Sequence, residues 1–176
     1  MSRLHALSLF VSIVGMCVIP TQARQSHNSQ ARMSQVEQNK NVVRRFVEEV
    51  WNQRQVNLCD ELVDTAIVGH YAGREIRGGL PRTKEIANYW CSALSGFTFH
   101  IEDIFGEGDK VVAHIPFEGT HVKNLLGIDS TGKKVKVDEV LICRLKGGKI
   151  AEVWEAFDEY GLRKQLTAPI PATKEQ

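Results

Sequence analysis

The sequence predicts an α+β domain in which three N-terminal helices pack on a curved antiparallel sheet that encloses a pocket. Apolar residues recur at helical spacing through the N-terminal part of the chain, and from Phe97 onward they alternate with polar residues in the period of two that is typical of strands. Glycine-containing turns separate the alternating runs, which favours strands joined by hairpins. A sheet that curls around helices leaves a concave, mostly apolar hollow in which a ligand site would form.

The first residues of the chain have the features of a secretory signal peptide. Arg3 precedes an uncharged apolar run from Ala6 to Ile19, and Ala23 supplies a small residue at a plausible cleavage position. The run is shorter than the roughly 20 residues that a membrane-spanning helix needs. We therefore predict that residues 1–23 are removed by cleavage after Ala23 and that the protein is secreted or periplasmic. An uncleaved membrane anchor is the alternative, whereas no membrane contact is expected after cleavage.

The folded domain is predicted to occupy residues 34–166. Residues 24–33 are polar and without periodicity, which indicates a disordered linker, and residues 167–176 form a predicted disordered tail with two prolines. The formal net charge is +1, and no basic stripe is interleaved with aromatic residues, so we expect no nucleic-acid partner.

Three cysteines remain in the predicted domain, namely Cys59, Cys91 and Cys143. An odd number argues against a disulfide framework. Cys59 and Cys91 are the best candidate pair, because both lie on predicted helices and export would expose them to an oxidising compartment. The alternative that all three are small buried hydrophobic residues is equally open.

The predicted helices come first in the chain. The first begins at Ser34 with a capping box, in which Glu37 follows three residues on, and continues to Trp51 with one apolar face. A second helix is predicted over about 56–65, a short strand over 67–71 and a loop over 72–80. The third helix has Pro81 in its first turn and ends at Ser95-Gly96.

Four antiparallel strands are predicted to follow. Alternation indicates strands over 97–105, 110–121 and 134–145, and a last strand that follows the turn at 146–148 and ends at a polar, glycine-containing segment. Residues 122–133 are predicted to form a loop.

Ionisable residues in apolar strand rows are the main candidates for chemistry. Glu139 shares a strand face with Val137 and Leu141, and Glu155 shares one with Val153 and Phe157. Burial would raise the pKa of such a carboxyl group towards the range of a general acid or base. The alternative, in which both glutamates face solvent, is equally open. Motifs of serine hydrolases, phosphate-binding loops and zinc peptidases are missing, and no clustered Cys/His spacing predicts a metal.

A histidine and a tryptophan complete the candidates that the sequence itself supplies. His121 lies where a strand breaks into a glycine-containing loop at a predicted pocket mouth, although a lone strand histidine is more often structural. Trp154 is read either as a core or subunit-interface ring or as a stacking partner for a flat ligand. The residues expected to hold the substrate are Glu139, Trp154, His70, Tyr71, Trp90, Phe117 and Leu141.

Two stretches of the chain resemble a known family. The run Gly119-Thr120-His121, followed by Gly127 and by Thr131-Gly132-Lys133, and the closing run from Gly148-Lys149-Ile150 through Trp154 and Asp158 to Gln165-Leu166 are similar to those of the SnoaL-like polyketide cyclases, or ester cyclases. The resemblance extends from about Asn39 to Leu166.

The resemblance implies an NTF2-like cone with a deep pocket and a cofactor-free intramolecular aldol reaction. The acid/base aspartate of the family falls on Glu155, which keeps the carboxylate but reaches one methylene further. Asp158 matches a second family acid. Glu139 stands where the cyclases have a polar residue, and Leu141 stands where they have a histidine.

We therefore expect a cofactor-free and metal-free enzyme that acts on a small apolar carbonyl compound and forms a homodimer through its sheet. Glu155 would act as the general base, and Asp158 and His121 would orient it or stabilise the developing enolate. An exported, non-catalytic binding module for a hydrophobic small molecule is the alternative. A lyase, an isomerase or an epoxide hydrolase on the same scaffold is a third hypothesis.

Overall fold

The computed structural model describes residues 35–169, in which helices pack against a strongly curved sheet. The predicted α+β class is therefore confirmed. The predicted signal peptide, the predicted linker, Ser34 of the predicted capping box and residues 170–176 of the predicted tail lie outside the described residues.

The first helix, α1, buries its apolar face as the sequence indicates. It comprises residues 35–45 and continues directly into a π-helical stretch, Phe46–Asn52, in which Phe46, Val50 and Trp51 are buried. A 3₁₀ turn, Val56–Leu58, leads into the short helix α2, Cys59–Leu62. The predicted second helix is thus too long at its C-terminal end, because the β-branched residues Val63 and Thr65 already lie in a strand.

Two later helices frame the sheet. Helix α3 spans Gly79–Ala93 and begins slightly before the predicted start. Helix α4, Glu159–Thr167, was not predicted, since the sequence here reads as a polar end of the domain. The reason lies in its composition: α4 is short and contains Gly161, which has low intrinsic helix propensity. No helix within residues 35–169 is long and apolar enough to cross a membrane.

The strands form two sheets. They are β1 (Val63–Tyr71), β2 (Arg74–Ile76), β3 (Leu94–Phe99), β4 (Asp103–Glu107), β5 (Lys110–His114), β6 (Phe117–His121), β7 (Lys134–Val137), β8 (Glu139–Lys146) and β9 (Lys149–Phe157). One sheet has the order β2-β1-β9-β8-β5-β4 and the other has the order β3-β6-β7. Most neighbouring pairs are antiparallel, but β1 and β9 run parallel, which corrects the prediction of a purely antiparallel sheet.

Three predicted long strands are each broken by a bend at which the chain passes from one sheet to the other. The bends lie at residues 100–102, at Ile115-Pro116 and at Asp138. Proline has no backbone N–H, so Pro116 cannot donate to a ladder. Hydrogen bonds still cross the bends, from His100 N to the Pro116 carbonyl (2.8 Å) and from Ile115 N to the Glu139 carbonyl (2.9 Å). The two sheets therefore form one curled surface whose concave side faces α1 and α3.

Of the two predictions for the cysteines, the disulfide is wrong, and the burial of all three is right only in part because Cys91 is half-buried. Cys59, Cys91 and Cys143 are all free, so the candidate Cys59–Cys91 disulfide is not formed. Cys59 and Cys143 are buried, and burial raises the pKa of the Cys59 thiol to about 11. At neutral pH this thiol is protonated and packs as a small hydrophobic residue.

Candidate functional site

The concave side of the sheet encloses a cavity with three connected parts. An inner chamber of about 30 Å³ lies between α3, β3 and the ends of β8 and β9, and a side pocket of about 60 Å³ runs between α1 and β1. A vestibule of about 440 Å³ opens between α3 and the end of β9. Ile86 and Glu155 line all three parts. The inner chamber is lined by Trp51, Ile86, Trp90, Phe97, Phe99, Phe117, Glu139, Glu155 and Phe157.

Six of the nine residues that line the inner chamber are aromatic. Trp90 lies edge-on to Phe117 and Phe157, with ring centroids 5.7 and 5.4 Å apart, and Phe97 lies edge-on to Phe99 at 4.9 Å. Edge-to-face pairs of this kind add attraction to the area they bury. The chamber is therefore an apolar space with walls fixed by mutual packing.

The end of α1 is fastened to β3 beside the chamber. The Asn52 amide donates to the Phe99 carbonyl (3.0 Å) and its side-chain oxygen accepts from Phe99 N (2.8 Å). Trp51, one residue earlier, packs edge-on against Phe99 with centroids 5.5 Å apart. π-Helical turns often occur at functional sites. Here the π-helical stretch Phe46–Asn52 places Trp51 in the wall of the cavity.

Glu155 occupies the point where the three parts of the cavity meet. It lies on β9, opposite Leu141 of β8 and beside Tyr71 of the parallel strand β1. Within residues 35–169 its carboxyl group has no hydrogen-bond partner. Burial raises its pKa from 4.5 to about 7, since the apolar walls disfavour the charged form.

Glu139 is the second carboxyl group in the inner chamber. It is the first residue of β8, next to the bend at Asp138, and is only 7% exposed. No described side chain or backbone group forms a hydrogen bond with its carboxyl group. Burial, and to a smaller extent the charge of Glu155, raise its pKa well above the usual range. The strand alternation had placed both glutamates in apolar rows, and the structure brings them into one chamber.

Of the other residues predicted to contact the substrate, four line the cavity and two do not. Tyr71 borders the side pocket and the vestibule, Trp90 borders the chamber and the vestibule, and Phe117 borders the chamber. Leu141, predicted as a substrate contact, is buried opposite Glu155 and does not line any of the three parts.

His70 and Trp154 have their rings on the outer face of the sheet. The rings stack with centroids 4.9 Å apart, and His70 Nε2 lies 2.8 Å from a Glu152 carboxylate oxygen. His70 also borders the side pocket, whereas Trp154 lies under the Lys110 ammonium group, 5.4 Å from its ring centroid. The predicted stacking of Trp154 on a ligand inside the pocket is therefore corrected, because β9 alternates and Glu155 takes the inner face.

Asp158 and His121, both predicted to assist Glu155, lie elsewhere. The exposed Asp158 carboxylate accepts from Gly161 N (2.8 Å) and caps α4. His121 is fully buried, and its Nδ1 accepts from Thr131 N at 3.2 Å and lies 3.0 Å from Thr131 Oγ1. Neither residue lines the cavity. The predicted roles in orienting Glu155 or stabilising an enolate are corrected accordingly.

The vestibule has a wall that the sequence analysis missed. The tip of the loop 122–133 is Leu126, whose backbone N donates to Tyr89 Oη (2.8 Å) and whose carbonyl accepts from Arg163 Nη1 (3.1 Å). Arg163 Nε donates to Glu159 (2.7 Å), which also accepts from the Tyr71 hydroxyl. Helix α4, absent from the prediction, thus links the loop tip to the cavity wall.

Aromatic residues of the chamber were also missed as site residues. Trp51 was assigned to the apolar face of the first helix, and Phe97 and Phe99 to the apolar face of a strand. Their inward spacing was the available signal, but it does not separate a core side chain from one that borders a cavity. Among the described residues no group of three or more His, Cys, Asp or Glu side chains is arranged to hold a metal ion.

Comparison with known proteins points to one family. The sequence profile of the SnoaL-like polyketide cyclases matches residues 41–166. Two curated proteins, the aklanonic acid methyl ester cyclases DnrD of Streptomyces peucetius and DauD of Streptomyces sp. strain C5, are each 31% identical over 99 residues. That segment covers 55% of this chain, 67% of DnrD and 60% of DauD.

Solved structures share the fold. TsrD from Streptomyces laurentii is 23% identical, with a TM-score of 0.68 over 76% of this chain and 97% of that one. A SnoaL-like polyketide cyclase from Agrobacterium tumefaciens is 17% identical, with a TM-score of 0.63 over 73% and 97%. A LEH-like epoxide hydrolase from M. tuberculosis is 18% identical, with a TM-score of 0.60 over 75% and 91%. At these identities the likeness establishes the common architecture.

Proposed function

Since the chain belongs to the SnoaL-like polyketide cyclase family, we propose that it is a cofactor-free cyclase or isomerase in which Glu155 removes a proton next to a carbonyl group. The observation that carries this proposal is the position of Glu155, a carboxyl group with a pKa of about 7 at the junction of an aromatic chamber and an open vestibule. A general base works best when its pKa lies near the working pH, because it is then both ionised and basic.

The cavity favours a small, largely apolar substrate. A vestibule of about 440 Å³ is within the range of small-molecule sites, and its walls are formed mainly by aromatic and aliphatic side chains. The inner chamber is much smaller, so only the reacting part of the substrate would enter it. Aklanonic acid methyl ester, named for the curated relatives, is a suitable first compound to test.

The reaction follows from the chemistry of the base. Glu155 takes the proton from the carbon beside a carbonyl, and the resulting enolate attacks a second carbonyl of the same molecule to close a ring. Apolar walls around the reacting carbon would limit its contact with water and so slow reprotonation of the enolate by solvent. The acceptor oxygen then recovers the proton, so the reaction is an isomerisation that consumes no co-reactant.

Deuterium exchange tests the first step without knowledge of the natural substrate. The wild-type protein should accelerate exchange of the α-protons of 2-tetralone, a bicyclic ketone, in D2O, as followed by NMR, and should cyclise aklanonic acid methyl ester. Glu155→Gln should lose both activities by roughly 10²–10⁴-fold, the usual contribution of a general base. Glu152→Gln is the matched control, because Glu152 lies on the same strand but bonds His70 and Arg144 on the outer face.

Binding without turnover would contradict the proposal. If the wild-type protein binds 2-tetralone or the ester but exchanges and cyclises no faster than Glu155→Gln, the pocket serves a binding module instead. Export and a homodimer formed through the sheet stay predictions from the sequence. Intact-mass analysis of the protein secreted by an expression host would check cleavage after Ala23, and analytical ultracentrifugation would check the dimer.

A further inference from the structure

An enolate needs a hydrogen-bond donor at its oxygen, and the residues expected to supply it are outside the cavity. Asp158 caps α4, and His121 bonds Thr131 away from all three parts of the cavity. Of the nine residues that line the inner chamber, two are carboxylic acids, two are tryptophans with an indole N–H, and the other five have no polar side-chain atom. A side-chain donor inside the chamber must come from this short set.

Glu139 and Glu155 face each other diagonally across neighbouring strands. Leu141 pairs directly with Glu155, and Glu139 stands two residues before Leu141 on the same face of β8. Diagonal neighbours of this kind have Cα atoms roughly 7–8 Å apart, within reach of two long side chains. Both acids line the inner chamber, whose volume of about 30 Å³ is at least twice the roughly 10–15 Å³ that one water molecule needs.

Ionisation of one glutamate in the chamber disfavours ionisation of the other. None of its described lining residues is a lysine, an arginine or a histidine, so two carboxylates would repel each other in an apolar space. Glu155 also borders the vestibule, whereas Glu139 borders only the chamber. Burial and the charge of Glu155 both raise the pKa of Glu139, so Glu139 keeps its proton when Glu155 ionises.

Few other titratable groups face this pair. Tyr71 of β1 and Arg82, Glu85 and Tyr89 of α3 border the vestibule beside Glu155, and Arg82 forms an ion pair with Glu85 (3.0 Å). His70 of β1 borders the side pocket and bonds Glu152, and Cys143 follows on the buried face of β8. Burial raises the pKa values of the Tyr71 hydroxyl and the Cys143 thiol, so both stay neutral at physiological pH. The ionisation of the chamber is therefore governed by the two glutamates.

We propose that Glu139 is the catalytic proton donor that works together with Glu155, a step that rests on the proposed function. The Glu139 carboxyl group donates its proton to the substrate carbonyl oxygen while the Glu155 carboxylate removes the proton from the adjacent carbon. The C–H electron pair becomes the C=C bond of an enol, the C=O π pair becomes an O–H bond, and the negative charge passes from Glu155 to Glu139.

Ring closure returns both acids to their starting states. The enol carbon forms a bond to the second carbonyl carbon, whose oxygen takes the proton held by Glu155. The enol O–H returns its proton to Glu139 as the first carbonyl is restored. The cycle uses no external acid, base or oxidant, and it begins again with Glu139 protonated and Glu155 ionised.

The pH dependence of kcat/KM for 2-tetralone exchange separates this role from a packing role. The wild-type profile should rise as Glu155 ionises and fall at higher pH as Glu139 ionises. Glu139→Gln keeps a hydrogen-bond donor that cannot ionise, so the falling limb should disappear and the plateau should drop roughly 10-fold or more as proton transfer is lost. Glu139→Leu removes the donor as well and should lose about 10²–10³-fold. Trp90→Phe, which removes the indole N–H and part of the ring but leaves both acids in place, should retain the falling limb.

Two results would overturn the assignment of Glu139. One is a Glu139→Leu variant that folds and exchanges as fast as the wild type while Glu155→Gln is inactive, which would leave the proposed function intact. The other comes from ¹³C NMR of side-chain-labelled glutamate, which does not depend on activity. The signal lost in Glu139→Gln should titrate above the signal lost in Glu155→Gln and should move to lower pH when Glu155 is replaced. If Glu139 instead ionises below Glu155, it cannot be the proton donor.

A wild-type protein that fails to exchange or cyclise any probe would contradict the proposed function, and the NMR titration would still decide the order of ionisation.

Discussion

At the scale of single residues, the reach of the Glu155 side chain sets the position of the base. Its backbone is fixed by pairing with Leu141 on one side and Tyr71 on the other, and the surrounding rings are packed against one another. Glu155→Asp should withdraw the carboxylate by one methylene. Since displacements of about 1 Å can cost 10²-fold in rate, we expect exchange to fall by roughly 10–100-fold. The loss should appear in kcat, with the rising pH limb still present.

The matched measurement for this variant is ligand binding. Binding of 2-tetralone should change little, because the apolar walls that hold it are untouched. Equal rates for Glu155→Asp and the wild type would mean that the base is not held in a fixed position, and the geometric argument for Glu155 would fail.

Asp158 provides a second test at the same scale, because its cap and its resemblance to a family acid predict different results. The carboxylate accepts from Gly161 N at 2.8 Å, and a Cβ atom at Gly161 would overlap it, so the cap depends on both residues. Asp158→Ala should lower the free energy of unfolding by about 1 kcal/mol, the usual value of an N-cap, while Asp158→Asn should cost much less. Both variants should keep the wild-type exchange rate per folded molecule. Denaturant titration and the exchange assay check these expectations. A large rate loss in Asp158→Asn would mean that the Asp158 carboxylate takes part in the reaction.

These residues show what strand alternation can and cannot predict. The period of two placed Glu139 and Glu155 in apolar rows, and both line the chamber, because adjacent strands keep their faces in register over a few residues. Alternation ends at Phe157, so it carries no information about the direction of the Asp158 side chain. His121 was favoured for its position at a strand end, yet its fully buried ring bonds the neighbouring loop.

At the scale of elements, the sequence did not predict the bends between the two sheets or the last helix, α4. Residues on either side of a bend still alternate, so periodicity reads β5 and β6 as one strand, and only Pro116 marked the break. The parallel pairing of β1 with β9 joins segments far apart in the chain, and no local pattern encodes it. Helix α4 has only nine residues with a glycine near its start, so its local signal was weak and tertiary contacts stabilise it.

The loop over the vestibule gives a prediction for an element. Tyr89 of α3 accepts a hydrogen bond from Leu126 N at the loop tip, where Leu126 has a φ of 52°. Tyr89→Phe should leave this backbone N–H without its partner and cost about 0.5–1.5 kcal/mol of local stability. We expect faster hydrogen exchange at the Leu126 amide, with little change at the amides of β8 and β9.

Tyr160→Phe is the control for this experiment. Tyr160 lies on α4 and is 74% exposed, so loss of its hydroxyl group should not affect the loop. Unchanged protection of Leu126 in Tyr89→Phe would mean that the Arg163 bond to the Leu126 carbonyl is enough to hold the tip.

At the scale of the whole molecule, the glutamates that line the cavity should reduce the stability of the fold. The pKa of Glu155 is raised from 4.5 to about 7, so between these pH values the folded state binds more protons than the unfolded chain. The free energy of unfolding must therefore fall as the pH rises through this window. Glu155→Gln removes the ionisation and should be more stable than the wild type above pH 7, by roughly 1–3 kcal/mol, with almost no difference below pH 4.5.

Glu152 on the same strand should behave in the opposite way. Hydrogen bonds from His70 and Arg144 lower the pKa of Glu152, so its ionised form stabilises the fold at neutral pH and this contribution is lost in acid. Urea titrations of the wild type, Glu155→Gln and Glu152→Gln at several pH values would show the two signs side by side. A constant difference between Glu155→Gln and the wild type across the pH range would mean that Glu155 ionises normally. In that case the chamber would neither raise the pKa of Glu155 nor cost the fold stability at neutral pH. The argument that burial makes Glu155 a strong enough base would then fail.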